Sequence, residues 1–170
     1  MNFETLHPLA QTLGTALGQR GWRLTAAESC TGGLVCAAIT SVAGSSGWFE
    51  RGFVTYSNAA KTELLGVDAA LFPQVGAVSP EVAAAMASGA LQRAGANLAV
   101  AITGIAGPDG GSADKPVGTV WFGLAQHAGG QTACQTRRMR FDGDRAAVRL
   151  QAADYALRWA LQAVGSADWT

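Results

Sequence analysis

An apolar segment that runs into a glycine turn decides the fold class of this chain: Trp22-Arg-Leu-Thr-Ala-Ala-Glu-Ser-Cys-Thr-Gly-Gly33. Its first part, residues 22–27, predicts a strand, and residues 28–33 predict the turn that follows. The apolar residues from Leu34 to Val42 then predict a short helix that ends near Gly44. A strand, a glycine turn and a helix form the α/β unit that places functional groups at the carboxyl edge of a sheet.

Hydrophobic periodicity and turn signals divide the remaining chain in the same way. Helices are predicted over residues 3–20, 58–65, 80–93 and 145–163, and strands over residues 53–56, 98–103, 120–126 and 132–141. Asn58 is expected to cap the second of these helices. The last two strands predict an antiparallel hairpin. The glycine-rich segment 104–118 lacks periodicity, which is typical of a functional loop. Since no interdomain linker is evident, we expect a single domain over residues 1–170.

The charge balance limits which partners the protein is expected to bind. The 170 residues include 12 Lys and Arg residues and 12 Asp and Glu residues, so the net charge is zero. Proteins that bind nucleic acids normally carry a basic excess, so we expect no nucleic-acid partner. Three arginines do cluster at positions 137, 138 and 140, but along one predicted strand they indicate a solvated face.

Cysteine usage and hydropathy indicate a cytoplasmic protein. Cys30, Cys36 and Cys134 have neither the spacing of a zinc site nor the even number of a disulfide framework. The amino terminus has no signal-peptide pattern, and no run of about 18 apolar residues is present to span a membrane. The alanine-rich helix predicted over residues 80–93 and the apolar share of 49% favour a homo-oligomer.

Nucleotide cofactors have no recognisable site in the sequence. A P-loop ends in Gly-Lys-Ser/Thr and the dinucleotide fingerprint needs spaced glycines that open a helix, and neither spacing occurs. We therefore expect no cofactor. The two histidines, His7 and His127, lie in the first helix and beside the hairpin turn, so neither a Ser-His-Asp triad nor a histidine-based metal site is expected.

A serine nucleophile does not require histidine, because a lysine whose pKa is lowered by partial burial can take its proton. The sequence supplies Ser29, Ser46, Tyr56 and Lys61 for such chemistry. Each has a structural interpretation as well, as a helix cap, a turn residue, a core aromatic and a solvated lysine respectively. Cys30 is a rival nucleophile, since a helix amino terminus lowers the pKa of a thiol.

Two features are candidates for binding an anion. The turn at Thr31, Gly32 and Gly33 opens a helix, and free amides there suit a phosphate or an oxyanion. Alternatively, Thr31 caps that helix and Glu28 satisfies its amides. Arg145 is the candidate side chain for a phosphate or carboxylate, unless it merely pairs with its acidic neighbours.

A series of short motifs extends from Thr25 to about Arg149 in one uninterrupted order. They are Ala27-Glu-Ser-Cys-Thr-Gly-Gly33, Ala43-Gly-Ser-Ser46, Arg51-Gly-Phe-Val-Thr-Tyr-Ser-Asn58, Lys61, Gly76-Ala-Val-Ser79, Thr103-Gly-Ile-Ala-Gly-Pro108, Gly110-Gly-Ser112, Lys115-Pro-Val-Gly-Thr119 and Gly143-Asp-Arg145. Together they resemble the CinA carboxy-terminal domain family. The resemblance implies an α/β fold of the three-layer α/β/α sandwich type with a mixed sheet.

The resemblance also implies an activity, the hydrolysis of the carboxamide of nicotinamide mononucleotide (NMN) to nicotinic acid mononucleotide and ammonia. It further implies a metal-independent reaction built on serine, tyrosine and lysine. The alternative hypothesis is a non-catalytic nucleotide-binding or phosphate-binding module of the competence-damage-inducible type.

The working hypothesis assigns a role to each candidate residue. Lys61 is the general base, Tyr56 relays or stabilises a proton, and the nucleophile is Ser46 or Ser29. Ser46 is preferred, because Ser29 lies in a turn that looks suited to holding an anion. Arg145 binds the phosphate, and the oxyanion or the phosphate is bound by amides at Gly32 and Gly33 or by those around Thr103 and Gly104.

Overall fold

The protein consists of a mixed β-sheet with helices on both of its faces. The structure is a computed structural model that describes residues 2–166. The strands of this part are β1 (Leu24–Glu28), β2 (Phe49–Val54), β3 (Leu98–Gly104), β4 (Thr119–Ala128) and β5 (Gln131–Arg140). Its α-helices are α1 (Leu6–Arg20), α2 (Leu34–Thr40), α3 (Asn58–Leu65), α4 (Leu71–Val75), α5 (Pro80–Ala94) and α6 (Arg145–Gly165). Short 3-10 helices lie at Phe3–Thr5 and Ser45–Gly47.

The order of the strands brings three chain segments to one edge of the sheet. The order is β2-β1-β3-β4-β5, in which β1 is parallel to β2 and β3, and β4 is antiparallel to β3 and β5. The carboxyl ends of β1, β2 and β3 therefore meet at the same edge. Ser29, Thr55 and Gly104 lie at or just after these ends. This edge is where α/β proteins place their functional groups.

Helices cover both faces of the sheet, which confirms the expected three-layer α/β/α sandwich. Side chains of α1, α2 and α6 pack on one face around Ala26 of β1, and side chains of α3 and α5 pack on the other face around Ala27. The alanine-rich α5 lies so close to β4 that a Cβ atom at Gly123 would overlap the Ala83 carbonyl. Within residues 2–166, no helix has the length and hydropathy needed to cross a membrane.

Three local predictions differ from the structure. Ser57, not Asn58, caps α3, because its Oγ accepts from the Ala60 N–H at 3.0 Å. Strand β2 begins at Phe49 rather than at residue 53, because it is an edge strand in which the charged residues Glu50 and Arg51 interrupt the apolar pattern. Helix α4 is only five residues long and was not predicted, since one turn of helix leaves no periodicity to detect.

Candidate active site

A buried serine and a buried lysine meet at the carboxyl edge of the sheet. Ser29 directly follows β1, and its backbone N–H donates to the Ile102 carbonyl of β3 at 3.0 Å, which fixes the start of the turn on the sheet. Lys61 lies on α3, and its Nζ is 3.0 Å from Ser29 Oγ. Only 1% of Lys61 and 9% of Ser29 is exposed. The pair thus joins a hydroxyl to an amine that is shielded from bulk water.

Backbone carbonyls surround the other side of the lysine. Nζ donates to the Thr55 carbonyl at 2.8 Å and lies 3.4 Å from the Tyr56 carbonyl. No carboxylate in the described part of the chain forms an ion pair with it. Burial disfavours the charged form and lowers the pKa of Lys61 from about 10.5 to about 8, while nearby Cys30 acts weakly in the opposite direction. An amine that donates to the two carbonyls can keep its lone pair for the Ser29 hydroxyl.

A cavity of about 240 Å³ opens onto this pair. Six of the predicted site residues line it, namely Ser29, Tyr56, Lys61, Thr103, Gly104 and Arg145. A second cavity of about 470 Å³ adjoins the first, because Ala106 and Arg145 line both of them. We call them the serine–lysine cavity and the arginine cavity.

The predicted link between Tyr56 and Lys61 is made by the main chain only. Tyr56 is 61% exposed, and its hydroxyl accepts from Arg145 Nη2 at 2.8 Å. Arg145 Nη1 donates to the Gly107 carbonyl, also at 2.8 Å. The phenol is therefore turned toward Arg145 at the boundary between the two cavities. The phenol hydroxyl thus contacts Arg145, and the role of Tyr56 in relaying or stabilising a proton stays a prediction.

Ser46 lies at the other edge of the sheet and corrects the sequence-based preference for it. It belongs to the exposed 3-10 helix Ser45–Gly47, which precedes β2, whereas Lys61 follows the carboxyl end of that strand. The six residues of β2 separate the two edges by roughly 17 Å, at about 3.3 Å per residue. Within this chain, the serine that meets Lys61 is Ser29.

The amides of the glycine turn are already occupied, so the turn is not the free anion site that the sequence suggested. Glu28 is fully buried, and its Oε2 accepts from the Gly33 and Val35 N–H groups at 2.9 and 3.2 Å. Its Oε1 accepts from the Cys36 N–H at 2.8 Å. The alternative in which Glu28 satisfies the first turn of α2 is therefore the correct one.

The three turn residues that were assigned to substrate binding do not line the serine–lysine cavity. Thr31 is fully buried, and the Gly32 N–H donates to the Ser29 carbonyl at 3.0 Å. Gly33 is held by Glu28 as described above. The positions of Thr31, Gly32 and Gly33 support a structural role, which is to shape the turn that carries Ser29.

Cys30 lines the serine–lysine cavity as a neutral thiol. Burial is the largest influence on it and raises its pKa from about 9.0 to about 12. Because the thiolate is the nucleophile, a thiol with so high a pKa is inert near neutral pH. Cys30 is therefore a weaker candidate than Ser29, as the absence of a histidine partner had suggested.

Thr103 and Gly104 at the end of β3 form part of the cavity wall. The Thr103 hydroxyl donates to the Ala77 carbonyl at 2.8 Å, which joins β3 to the segment before α5. A Cβ atom at Gly104 would come within 3.0 Å of Cys30 Sγ and within 2.8 Å of a Val120 methyl group. Only glycine fits here without displacing the residue that follows Ser29.

Comparison with known proteins assigns the family. The model of the CinA C-terminal domain matches residues 6–164. The chain belongs to this family. The resemblance noted in the sequence motifs is thereby confirmed.

Some relatives within the CinA C-terminal domain family are about as long as this chain. The protein from Enterobacter agglomerans named nicotinamide-nucleotide amidohydrolase PncC is 58% identical over 95% of this chain and 97% of its own length. The protein of the same name from Escherichia coli strain K12 is 56% identical, over 93% and 94%. A solved CinA superfamily protein from Klebsiella pneumoniae superposes with a TM-score of 0.87 at 41% identity, covering 96% of this chain and 98% of that one.

Arg149 is a site residue that the sequence reasoning missed. It lies on α6 one helical turn after Arg145 and lines the arginine cavity. Its Nε donates to the Cys30 carbonyl at 3.1 Å, and its Nη2 donates to the Thr31 carbonyl at 2.9 Å. The available signal was the spacing of four residues from Arg145, which places both side chains on one face of the helix.

Other polar groups lie away from the serine–lysine pair. A cavity of about 480 Å³ near the amino edge of the sheet is lined by residues such as Leu91, Asn97 and His127, and no charged side chain in the described part of the chain lines it. His127 pairs with Thr132, and His7 pairs with Ser41, each at 2.9 Å. Among residues 2–166, no group of three or more His, Cys, Asp or Glu side chains lies close enough together to hold a metal ion.

Proposed function

We propose that this protein is an amidohydrolase that deamidates NMN with Ser29 as nucleophile and Lys61 as general base. The observation that carries the proposal is the 3.0 Å contact between Ser29 Oγ and the buried Lys61 Nζ. Full-length relatives named nicotinamide-nucleotide amidohydrolase support the general activity. The serine–lysine mechanism rests on the geometry of this chain.

In the first half of the proposed reaction, Ser29 is acylated. Lys61 Nζ takes the hydroxyl proton as Ser29 Oγ attacks the carbonyl carbon of the substrate carboxamide. The resulting tetrahedral intermediate collapses when the Lys61 ammonium donates its proton to the departing nitrogen. The C–N bond breaks, ammonia leaves, and the nicotinoyl group stays on Ser29 as an ester.

In the second half, water replaces ammonia at the same position. Lys61, again a neutral amine, takes a proton from this water, whose oxygen attacks the ester carbonyl. Collapse of the second tetrahedral intermediate breaks its bond to Ser29 Oγ, which takes the proton from Lys61. The carboxylic acid that is released then loses its own proton to the medium and becomes the carboxylate. A lysine with a pKa of about 8 suits both halves, because it accepts and donates protons near neutral pH.

The oxyanion of each intermediate needs an N–H donor that the fold leaves free. Within the described part of the chain, no main-chain carbonyl accepts a hydrogen bond from the N–H of Cys30, the residue that directly follows Ser29 and lines the cavity. The amides of Gly32 and Gly33 are occupied. The Cys30 N–H is therefore the oxyanion donor in this proposal, in place of the turn amides expected from the sequence.

The two adjoining cavities suit the two ends of a mononucleotide. The serine–lysine cavity, at about 240 Å³, lies at the reacting groups and receives the carboxamide end. The arginine cavity, at about 470 Å³, receives the phosphate end. Arg145 lies at their boundary and can donate to a phosphate after exchanging its contact with the Tyr56 hydroxyl.

One incubation tests the activity. Purified protein is mixed with NMN, and ammonia and nicotinic acid mononucleotide are both followed, with the Lys61→Ala variant as control. We expect stoichiometric formation of both products by the wild-type protein and at least a hundredfold less by the variant, since general-base catalysis contributes roughly 10²- to 10⁴-fold. Equal rates of product formation by the wild-type protein and the variant would contradict the proposal. Binding of NMN without turnover would support the non-catalytic binding module.

A further inference from the structure

We infer that Arg149 is a positioning residue that fixes the turn carrying Ser29. The inference rests on the proposed function for the role of Ser29, but the contacts that carry it do not. Arg149 belongs to α6, far from the turn in sequence, and donates two hydrogen bonds to consecutive carbonyls of residues 30 and 31. A guanidinium presents its donors in a rigid planar fork, so two such contacts define both the place and the orientation of the peptide groups.

The turn and the helix start after it are held by two side chains of opposite charge. Glu28 accepts from the N–H groups of Gly33, Val35 and Cys36. Arg149 donates to the carbonyls of Cys30 and Thr31. Hydrogen bonds to charged groups are stronger than those between neutral groups. The backbone between the two charges therefore has little freedom to rotate.

The hydrogen bonds from Arg149 restrict the backbone next to Ser29 and the Cys30 N–H, which are the reacting groups in the proposed function. The carbonyl of Cys30 and the N–H of Thr31 belong to one planar peptide group, so the contact from Arg149 Nε fixes the plane directly after Cys30. Ser29 and the Cys30 N–H lie immediately before that plane. A displacement of about 1 Å in a catalytic group can cost roughly a hundredfold in rate. Loss of Arg149 is therefore expected to lower turnover without removing a contact to the substrate.

A competing role for Arg149 is direct binding of the substrate phosphate, because it also lines the arginine cavity. Its Nε and Nη2 already donate to carbonyls of the turn. Arg145, by contrast, also lines the serine–lysine cavity. The two roles make different kinetic predictions. A positioning residue changes kcat with little change in KM, and a phosphate ligand raises KM.

The test compares Arg149→Met, Arg149→Lys and the control Arg158→Met by steady-state kinetics with NMN. Arg158 lies on the same helix, and its guanidinium pairs at the surface with Asp154. For Arg149→Met we expect kcat to fall about a hundredfold with KM within about threefold of wild type. Arg149→Lys should recover only part of the loss, because an ammonium cannot span both carbonyls. Arg158→Met should match wild type.

Hydrogen exchange supplies a readout that does not depend on turnover. Amides in the peptide spanning residues 29–36 should exchange faster in Arg149→Met than in wild type and Arg158→Met, at equal melting temperature. A rise in KM at unchanged kcat would overturn the inference in favour of phosphate binding, and unchanged exchange would also overturn it. If Arg149→Met does not fold, Arg149→Lys decides by the same criteria. If wild type fails to turn over NMN, the proposed function fails while hydrogen exchange still decides the role of Arg149.

Discussion

Two turns that contain serine, residues 29–33 and residues 44–47, resemble each other in composition. They differ in their position on the sheet and in the burial of the serine. Both contain serine and glycine within five residues, and both connect a strand and a helix. The first lies at the carboxyl edge of the sheet, where Ser29 is buried against Lys61. The second lies at the amino edge, where Ser46 is exposed. The comparison indicates that the position of a serine on the sheet, not its local sequence, determines whether it has a base.

The largest expected effect separates the two serines directly. Ser29→Ala should lower kcat for NMN by about 10³-fold or more, because it removes the proposed nucleophile, and Ser46→Ala should leave kcat within a few-fold of wild type. Steady-state kinetics on both variants makes the measurement. Mass spectrometry of a trapped acyl-enzyme provides an independent check, since the adduct should lie on the peptide that contains Ser29. An adduct on Ser46 or Cys30 would reverse the comparison.

The pH profile of the wild-type enzyme probes the base at the first turn. Lys61 acts as a base only when neutral, and burial lowers its pKa to about 8. We therefore expect kcat/KM to rise about tenfold per pH unit up to roughly pH 8 and then to level off. A limb that continues upward to the ordinary lysine pKa would contradict the proposed role of Lys61.

Asn58 offers a way to shift that profile in a known direction. It lines the same cavity, so Asn58→Asp places a negative charge near the amine. An opposite charge stabilises the ammonium and raises the pKa of Lys61, so the limb should move to higher pH. The comparison of the two profiles distinguishes Lys61 from any ionisation of the substrate, which the substitution leaves unchanged.

The smallest expected effect concerns the stability of the first turn. Glu28→Gln should lower the free energy of unfolding by about 1–3 kcal/mol, because the amide keeps one acceptor oxygen and turns an NH₂ group toward a buried N–H. Denaturant unfolding measures the change. Glu63→Gln on the exposed face of α3 is the matched control and should change stability by less than about 0.5 kcal/mol. Equal effects of the two substitutions would show that Glu28 does not hold the turn.

The sheet edge at which the candidate site lies could be predicted from the sequence, because the patterns that indicate it are formed by residues close together in the chain. The apolar strand before Glu28, the glycines after it and the periodicity of α2 are all short-range patterns. The hairpin of β4 and β5 follows from an equally local signal. The family resemblance then supplied the layer architecture, which local patterns alone leave open.

Contacts between distant segments were not predictable in the same way. Composition does not tell Ser29 from Ser46, because only the strand order brings residue 61 to the end of β1. The direction of the Tyr56 phenol depends on Arg145 of α6, which lies 89 residues away along the chain. Arg149 reaches the turn across a similar gap. Each of these contacts depends on how separate elements pack together. The spacing of residues within one element does not indicate which other element they contact.

The carboxylate of Glu28 is an anion bound at the start of α2, and it belongs to the same chain as the N–H groups that bind it. A group tethered through a short flexible link acts at an effective concentration on the order of millimolar or more, and folding brings this carboxylate to a fixed place. Phosphate or sulfate in solution would have to displace it from three N–H groups inside the core. If the proposed function holds, we expect such anions to compete at the cavity beside Arg145, and we expect the turn itself to stay unchanged as the ionic composition of the medium varies.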